Sequence, residues 1–116
     1  MDEKSKRTIL VVEDVHEISS LMQTMLNRKG HRVLQASDAQ EALAVAEKDR
    51  PTIILTDPDL PTLALLIQLI KGHQDFRDLP VAIIDINDPE VSMKNDLKIL
   101  SDFDQLDLLL GSTPAR

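Results

Sequence analysis

The chain is predicted to fold as an α/β domain on a parallel sheet, with five strands alternating with five helices. Short β-branched apolar runs recur along the sequence, and stretches with helical spacing of apolar residues separate them. The length of 116 residues suits one domain, and the apolar fraction of 42% is that of an ordinary globular protein. A single globular α/β domain with right-handed crossovers is therefore expected.

The predicted strands are short apolar runs, and the most apolar of them are typical of a sheet covered on both faces. They comprise residues 8–12, 32–35, 52–55, 81–84 and 97–100. The second run, residues 32–35, carries more polar side chains and is expected to be less buried than the first.

The first three helices follow from apolar spacing and from residues that start or stop helices. The first contains Met22 and Met25, both predicted to lie in the core, and Gly30 follows it. Asp38 with Glu41 forms a capping-box pattern for the second, which ends before residue 51. The third covers residues 63–70 and stops at residue 72.

Two further helices are predicted nearer the end of the chain. Asp88 followed by Pro89 is a helix start, and only about two turns fit before the last strand. Asp102 with Gln105 opens a fifth helix, which Gly111 stops. The domain is thus expected to span residues 8–111, with a head at 1–7 and a tail or truncated linker at 112–116.

Composition excludes several classes of function. The chain has no Cys, Trp or Tyr, which excludes disulfides and thiolate metal sites and argues against base stacking on single strands. A net charge of −7 argues against direct nucleic-acid binding. All three glycines follow predicted helices, so neither a dinucleotide-binding loop nor a P-loop is present. No apolar run is long enough to span a membrane, and we expect a cytoplasmic protein.

Carboxylates follow three of the predicted strands. Glu13 and Asp14 come after the first strand, Asp57 and Asp59 after the third, and Asp85 after the fourth. Ligands of open parallel sheets bind beyond the carboxyl ends of the strands, so these acids are expected to converge. Oxygen ligands without His or Cys favour Mg²⁺ or Ca²⁺ over zinc. The alternative is that each acid only caps the helix that follows it.

Several motifs together resemble the receiver domain of two-component response regulators. They are ILVVED at residues 9–14, GHRV at 30–33, EAL at 41–43 and PTIILTD at 51–57, with Leu60-Pro61 behind. The resemblance covers residues 8 to about 85 well and the rest of the chain poorly. It implies a flavodoxin-like, doubly wound, five-stranded parallel sheet with strand order 2-1-3-4-5.

The resemblance also implies a site and a partner. Asp57 would be the phosphoacceptor that attacks a phosphohistidine of a histidine kinase or phosphotransfer protein. Glu13, Asp14, Asp57 and the backbone carbonyl of Asp59 would hold Mg²⁺, which neutralises charge on the transferring phosphoryl group. Beyond self-phosphorylation and dephosphorylation at Asp57, no enzymatic activity is expected.

The sequence departs from the family at the positions through which family members respond to phosphorylation. Asp85 stands where the family has Thr or Ser, and Lys98 stands where it has a switch aromatic. Ser101 occupies the position of a conserved Lys, unless a slip of three residues gives that position to Lys98. The segment between the fourth and fifth strands is shortened, and the family's Gly after the acceptor is replaced within residues 62–66. Asp85 could serve as a helix cap or as an additional metal ligand.

Three functional hypotheses remain open. In the first, Asp57 accepts phosphate and the domain relays a signal. In the second, the domain is a phosphorylation-independent pseudo-receiver that binds a protein partner at the face formed by residues 85–110, as a monomer or weak dimer. A remote third is an Asp-nucleophile phosphatase, suggested by Asp57-Pro58-Asp59. His31 and His73 are interpreted as surface and loop residues.

Overall fold

A computed structural model of the chain describes residues 7–84 and the backbone of residues 98–100. The predicted fourth and fifth helices, the tail, all but the last residue of the predicted head, and the side chains of Asp85, Lys98 and Ser101 lie outside the described residues. No helix in the described ranges is long and apolar enough to cross a membrane.

Strands and helices alternate along the described chain. Their bounds are β1 Thr8–Val12, α1 His16–Arg28, β2 Arg32–Ala36, α2 Ala39–Asp49, β3 Ile53–Thr56, α3 Leu63–Lys71, β4 Val81–Ile84 and β5 Lys98–Leu100. The predicted strands are confirmed to within a residue at each end, and β3 begins and ends one residue later than expected.

The five strands form one sheet in the order β2-β1-β3-β4-β5, and every neighbouring pair is parallel. The doubly wound order that the resemblance implied is thereby confirmed. In β5, Lys98 pairs with Ala82 and Leu100 pairs with Ile84, the last residue of β4. Lys98 is therefore the first residue of its strand, two positions before the strand ends.

Helices cover both faces of the sheet, as the apolar β-strand sequences require. On one face, Leu10, Val12 and Ile54 belong to a core with α2 and α3. On the other face, alternate residues such as Val11 and Leu55 pack with α1. Residues 9–12 of β1 are fully buried, which places this central strand under both layers.

Two burial predictions are wrong. Met25 was assigned to the core, but its side chain is 36% exposed, because α1 turns Met22 and Leu26 toward the sheet instead. His31 was assigned to the surface, but it is only 5% exposed. Its Nδ1 accepts a hydrogen bond of 3.1 Å from the backbone N–H of Arg7, which explains why the ring turns inward at the start of β2.

The chain leaves α1 through a left-handed turn. Gly30 has φ of 91°, a conformation that residues with a side chain rarely adopt, and its N–H donates to the carbonyl oxygen of Asn27. This turn reverses the chain so that β2 starts beside β1. The predicted helix stop at Gly30 is thus confirmed.

Candidate functional site

Glu13 and Asp57 lie side by side at the carboxyl edge of the sheet. Each directly follows its strand, and the last residues of those strands, Val12 and Thr56, are partners in the register. The Thr56 hydroxyl, itself fully buried, donates a 2.9 Å hydrogen bond to the carbonyl oxygen of Val12. This bond joins the ends of β1 and β3 and so holds Glu13 and Asp57 next to each other.

The Glu13 side chain is almost completely buried, with 3% of its surface exposed. Its Oε2 accepts a 3.0 Å hydrogen bond from the backbone N–H of Val15. Its Oε1 is buried and has no hydrogen-bond partner among the described residues. The groups beside it, Asp57 and Asp14, are carboxyls that have no proton to donate when they are ionised.

Several effects together raise the pKa of Glu13 from 4.5 to about 8, and burial is the largest of them. The neighbouring Asp57 carboxyl contributes by hydrogen bonding to the protonated form and by repelling the charge of the ionised form, and Asp14 acts in the same direction. The Val15 N–H opposes these effects because it stabilises the carboxylate. At neutral pH and without a bound cation, Glu13 therefore retains a proton that an exposed glutamate would have lost.

Asp57 opens a compact turn and is half-buried, so solvent has access to it. Its Oδ1 accepts a 2.6 Å hydrogen bond from the backbone N–H of Asp59, and its carbonyl oxygen accepts one from Leu60. Leu60 is only 4% exposed and anchors the turn in the core. The side chains of Asp59 and Asp14 are exposed.

The arrangement suits a hydrated cation better than a cage of side chains. Within residues 7–84, no three His, Cys, Asp or Glu side chains are grouped as a complete metal-binding cluster. Magnesium ordinarily takes one or two protein carboxylates, with water and phosphate oxygens completing its shell. The buried, unpartnered Oε1 of Glu13 beside a second carboxyl is the kind of ligand that such an ion needs, so the residues present fit Mg²⁺.

A groove of about 250 Å³ opens beside Glu13 and Asp14. It lies between the start of α1 and the connection from β2 to α2, and its lining includes Glu13, Asp14, Gln35 and Glu41. Solvent therefore reaches the exposed residues around Glu13 from this side, while the Glu13 carboxyl itself stays buried.

Sequence reasoning missed one residue near the site. Thr62 follows the predicted acceptor loop, and its Oγ1 accepts a 3.0 Å hydrogen bond from the backbone N–H of Ala39, the first residue of α2. A Thr directly before a helix is usually interpreted as the cap of that helix, so no local signal indicated a contact with α2.

Comparison with known proteins identifies the family. The family model described as "Response regulator receiver domain" matches residues 9–100. Alkaline phosphatase synthesis transcriptional regulatory protein PhoP of Bacillus subtilis is 36% identical over 84 residues. That match covers 72% of this chain and 35% of the regulator, so the chain spans about a third of the relative's length.

One further relative is a sensor kinase, and a solved structure shares the fold. Sensor histidine kinase AruS of Pseudomonas aeruginosa is 45% identical over 56 residues, which are 48% of this chain and 6% of the kinase. The crystal structure of a receiver domain of another Pseudomonas aeruginosa sensor histidine kinase, described with magnesium coordinated in its active site cleft, superposes with a TM-score of 0.74 at 24% identity. It covers 92% of this chain and 96% of that domain, and shows the same fold.

The fold, the strand-end acids and the family match agree over the same part of the chain. Receiver domains are generally signalling modules without enzymatic activity of their own, and they bind Mg²⁺ in the active site. The chain belongs to the response regulator receiver family of two-component signalling.

Proposed function

We propose that the domain relays a signal by accepting a phosphoryl group on Asp57 from a phosphohistidine of a histidine kinase or phosphotransfer protein. One observation carries the proposal: a buried glutamate, Glu13, holds an unpartnered oxygen directly beside a half-buried aspartate at the edge where parallel sheets bind ligands. A cytoplasmic location and a monomeric or weakly dimeric state belong to the same proposal.

The transfer is a displacement at phosphorus. A carboxylate oxygen of Asp57 forms a bond to phosphorus while the bond from phosphorus to the donor imidazole nitrogen breaks. The products are an acyl phosphate and a neutral histidine, because the other nitrogen of the donor ring carries a proton and the released nitrogen keeps the electron pair. Glu13, Asp14, Asp57 and the backbone carbonyl of Asp59 would hold Mg²⁺. When bound, the ion offsets negative charge on the phosphoryl oxygens. The Asp59 N–H, which donates to Asp57 Oδ1, orients the carboxylate.

The test uses beryllofluoride, which mimics the phosphoryl group on a carboxylate. Backbone NMR shifts of the wild-type chain in Mg²⁺ with beryllofluoride are expected to saturate around residues 13, 14 and 57–60. Asp57→Asn should abolish this response. Asp75→Asn is the matched control, because Asp75 is an exposed aspartate outside the site. No response of the wild-type chain at millimolar reagent would overturn phosphoacceptance.

A second candidate is supported by the sequence that follows β4 and β5. Asp85 replaces the hydroxyl residue of the family, and the β5 register supports the alignment in which Ser101 replaces its Lys, since β5 begins at Lys98 and ends at Leu100. A like-charge contact at 4 Å costs about 4 kcal/mol at an effective dielectric of 20. A phosphate on Asp57 without that Lys is accordingly less stable.

In this second candidate, the domain is a pseudo-receiver that binds a protein partner at the face of residues 85–110 without being phosphorylated. It predicts partner binding that is identical for wild type and Asp57→Asn. A partner affinity that depends on acetyl phosphate in the wild type, but not in Asp57→Asn, would exclude it. No specific observation favours the Asp-nucleophile phosphatase, and we do not propose it.

A further inference from the structure

Thr62 precedes α3 but does not cap it. It occupies the N-cap position of that helix, and its side chain makes no capping hydrogen bond there. Its Oγ1 instead accepts the 3.0 Å hydrogen bond from Ala39, whose position in the chain is 23 residues away. The first amides of a helix have no partner within that helix, so the Thr62 hydroxyl supplies the partner that the fully buried Ala39 lacks.

The bond ends in a tightly organised first turn of α2. The Asp38 side chain accepts a 2.8 Å hydrogen bond from the N–H of Glu41, and Glu41 Oε1 accepts one of 2.8 Å from the N–H of Ser37. Glu41 also lines the groove that opens beside Glu13. The first turn of α2 and the acidic edge of the sheet therefore line the same groove.

At its other end, the bond holds the loop of residues 57–62, here called the acceptor loop. Several of the loop's other hydrogen bonds are local, such as Asp59 N–H to Asp57 Oδ1 and Leu63 N–H to the Leu60 carbonyl. Leu60 also packs in the core that contains the buried residues of α2, but apolar packing is not directional. The hydrogen bond from Ala39 N–H to Thr62 Oγ1 adds a directional contact between the loop and α2.

We infer that Thr62 is a positioning residue of the acceptor loop, and that its hydroxyl transmits occupancy at Asp57 to the first turn of α2. The inference rests on the proposed function, because it takes Mg²⁺ and a phosphoryl group to be bound at Asp57. In the alignment that places Ser101 at the position of the conserved Lys, the sequence lacks the hydroxyl, lysine and aromatic residues through which the family reads out phosphorylation. A contact from the acceptor loop to α2 supplies a different route.

The first test measures the contact itself. Thr62→Val removes the acceptor, and amide exchange at Ala39 is expected to accelerate about tenfold or more, because the N–H loses its partner. Thr62→Ser retains an acceptor oxygen and should restore protection. Thr52→Val is the matched control, since Thr52 Oγ1 donates to the carbonyl oxygen of Thr8 at the opposite edge of the sheet.

The second test measures positioning and transmission. Thr62→Val should raise the dissociation constant for Mg²⁺ by about three- to tenfold, which is the effect of losing one ordinary hydrogen bond. In the wild type, Mg²⁺ with beryllofluoride should shift the amides of Ala39 and Glu41. Thr62→Val should lose these shifts, Thr62→Ser should keep them, and Thr52→Val should behave as wild type.

The outcomes separate this inference from the proposed function. A wild-type chain that responds to neither Mg²⁺ nor beryllofluoride overturns both. A wild-type response at Asp57 that Thr62→Val leaves unchanged, in affinity and at Ala39, overturns the inference alone. Should Thr62→Val fail to fold, Thr62→Ala replaces it. Should that fail as well, the wild type decides: Ala39 protection that is the same with and without beryllofluoride overturns the inference.

Discussion

At the scale of single residues, Glu13 makes stability depend on pH. In the folded, metal-free protein its pKa is about 8, whereas the unfolded chain loses the proton near 4.5. The folded state therefore binds more protons between these values, so stability is expected to fall as pH rises through this range, by at most about 1.4 kcal/mol per unit. Denaturant titrations at pH 5, 6, 7 and 8 measure the slope.

Variants identify the group responsible. Glu13→Gln is expected to flatten this part of the curve, because the amide carries no charge at any of these pH values. Glu17→Gln, at an exposed position in the first turn of α1, should leave the slope as it is. A Glu13→Gln curve parallel to that of the wild type would show that another group causes the dependence.

The acids at the strand ends show how much of the site could be predicted from the sequence. Acids directly after two apolar runs predicted that Glu13 and Asp57 would meet, because parallel strands end at the same edge. The sequence did not predict which of the two neighbouring acids is buried, because Asp14 is as acidic as Glu13 and yet is exposed. That difference depends on how the chain turns from β1 into α1, which local sequence does not specify.

At the scale of elements, Asp38 caps α2 as predicted, since its side chain accepts the hydrogen bond from the N–H of Glu41. The second bond of the predicted capping box differs, because Glu41 Oε1 accepts from the N–H of Ser37 rather than from that of Asp38. Asp38→Ala is expected to lower the free energy of unfolding by about 1 kcal/mol, with Asp38→Asn close to wild type. Urea unfolding followed by circular dichroism measures both. Equal losses for the two variants would contradict a capping role.

Helix α1 separates buried from exposed apolar residues. Leu26 is fully buried and Leu21 is 58% exposed. Leu26→Ala is expected to cost about 2–5 kcal/mol, because it leaves a cavity under the helix, whereas Leu21→Ala should change stability by less than about 0.5 kcal/mol. Thermal unfolding of the two variants measures this difference in stability. Comparable losses of stability would mean that α1 is rotated from the orientation described.

The same helix explains why the Met25 prediction was wrong. Apolar residues surround more of α1 than the sheet covers, so the spacing predicted a helix but not its rotation about its own axis. Ile18, Leu21 and Met25 all lie on the exposed side. For His31, the deciding contact comes from the backbone at Arg7, which no residue pattern around the histidine indicates.

At the scale of the whole molecule, a local ion is expected to stabilise the entire fold. A ligand that binds only the folded state adds about 2.7 kcal/mol at a concentration 100 times its dissociation constant. Thermal unfolding should therefore shift upward with Mg²⁺, and less so in Asp57→Asn. Because the net charge is −7, NaCl at matched ionic strength is the control for general screening. Equal shifts with both salts would argue against a specific site.

The global architecture was the most predictable feature. Five apolar runs separated by helical stretches are enough to indicate a parallel sheet, because parallel strands require crossovers. The strand order came from the family resemblance, since runs of similar apolarity do not reveal which strands are neighbours. The Thr62 contact could not be predicted for a related reason: it joins the acceptor loop to the first turn of α2, which lies 23 residues earlier in the chain.

Because all strands run in the same direction, the structure also indicates where the protein is best attached to a solid support. Thr8 opens β1 at the amino edge, and the acids follow the carboxyl ends of β1 and β3. A tether attached ahead of Thr8 therefore turns the acidic edge away from the support and toward solution. Molecules immobilised in this way should leave Asp57 accessible to a dissolved phosphodonor.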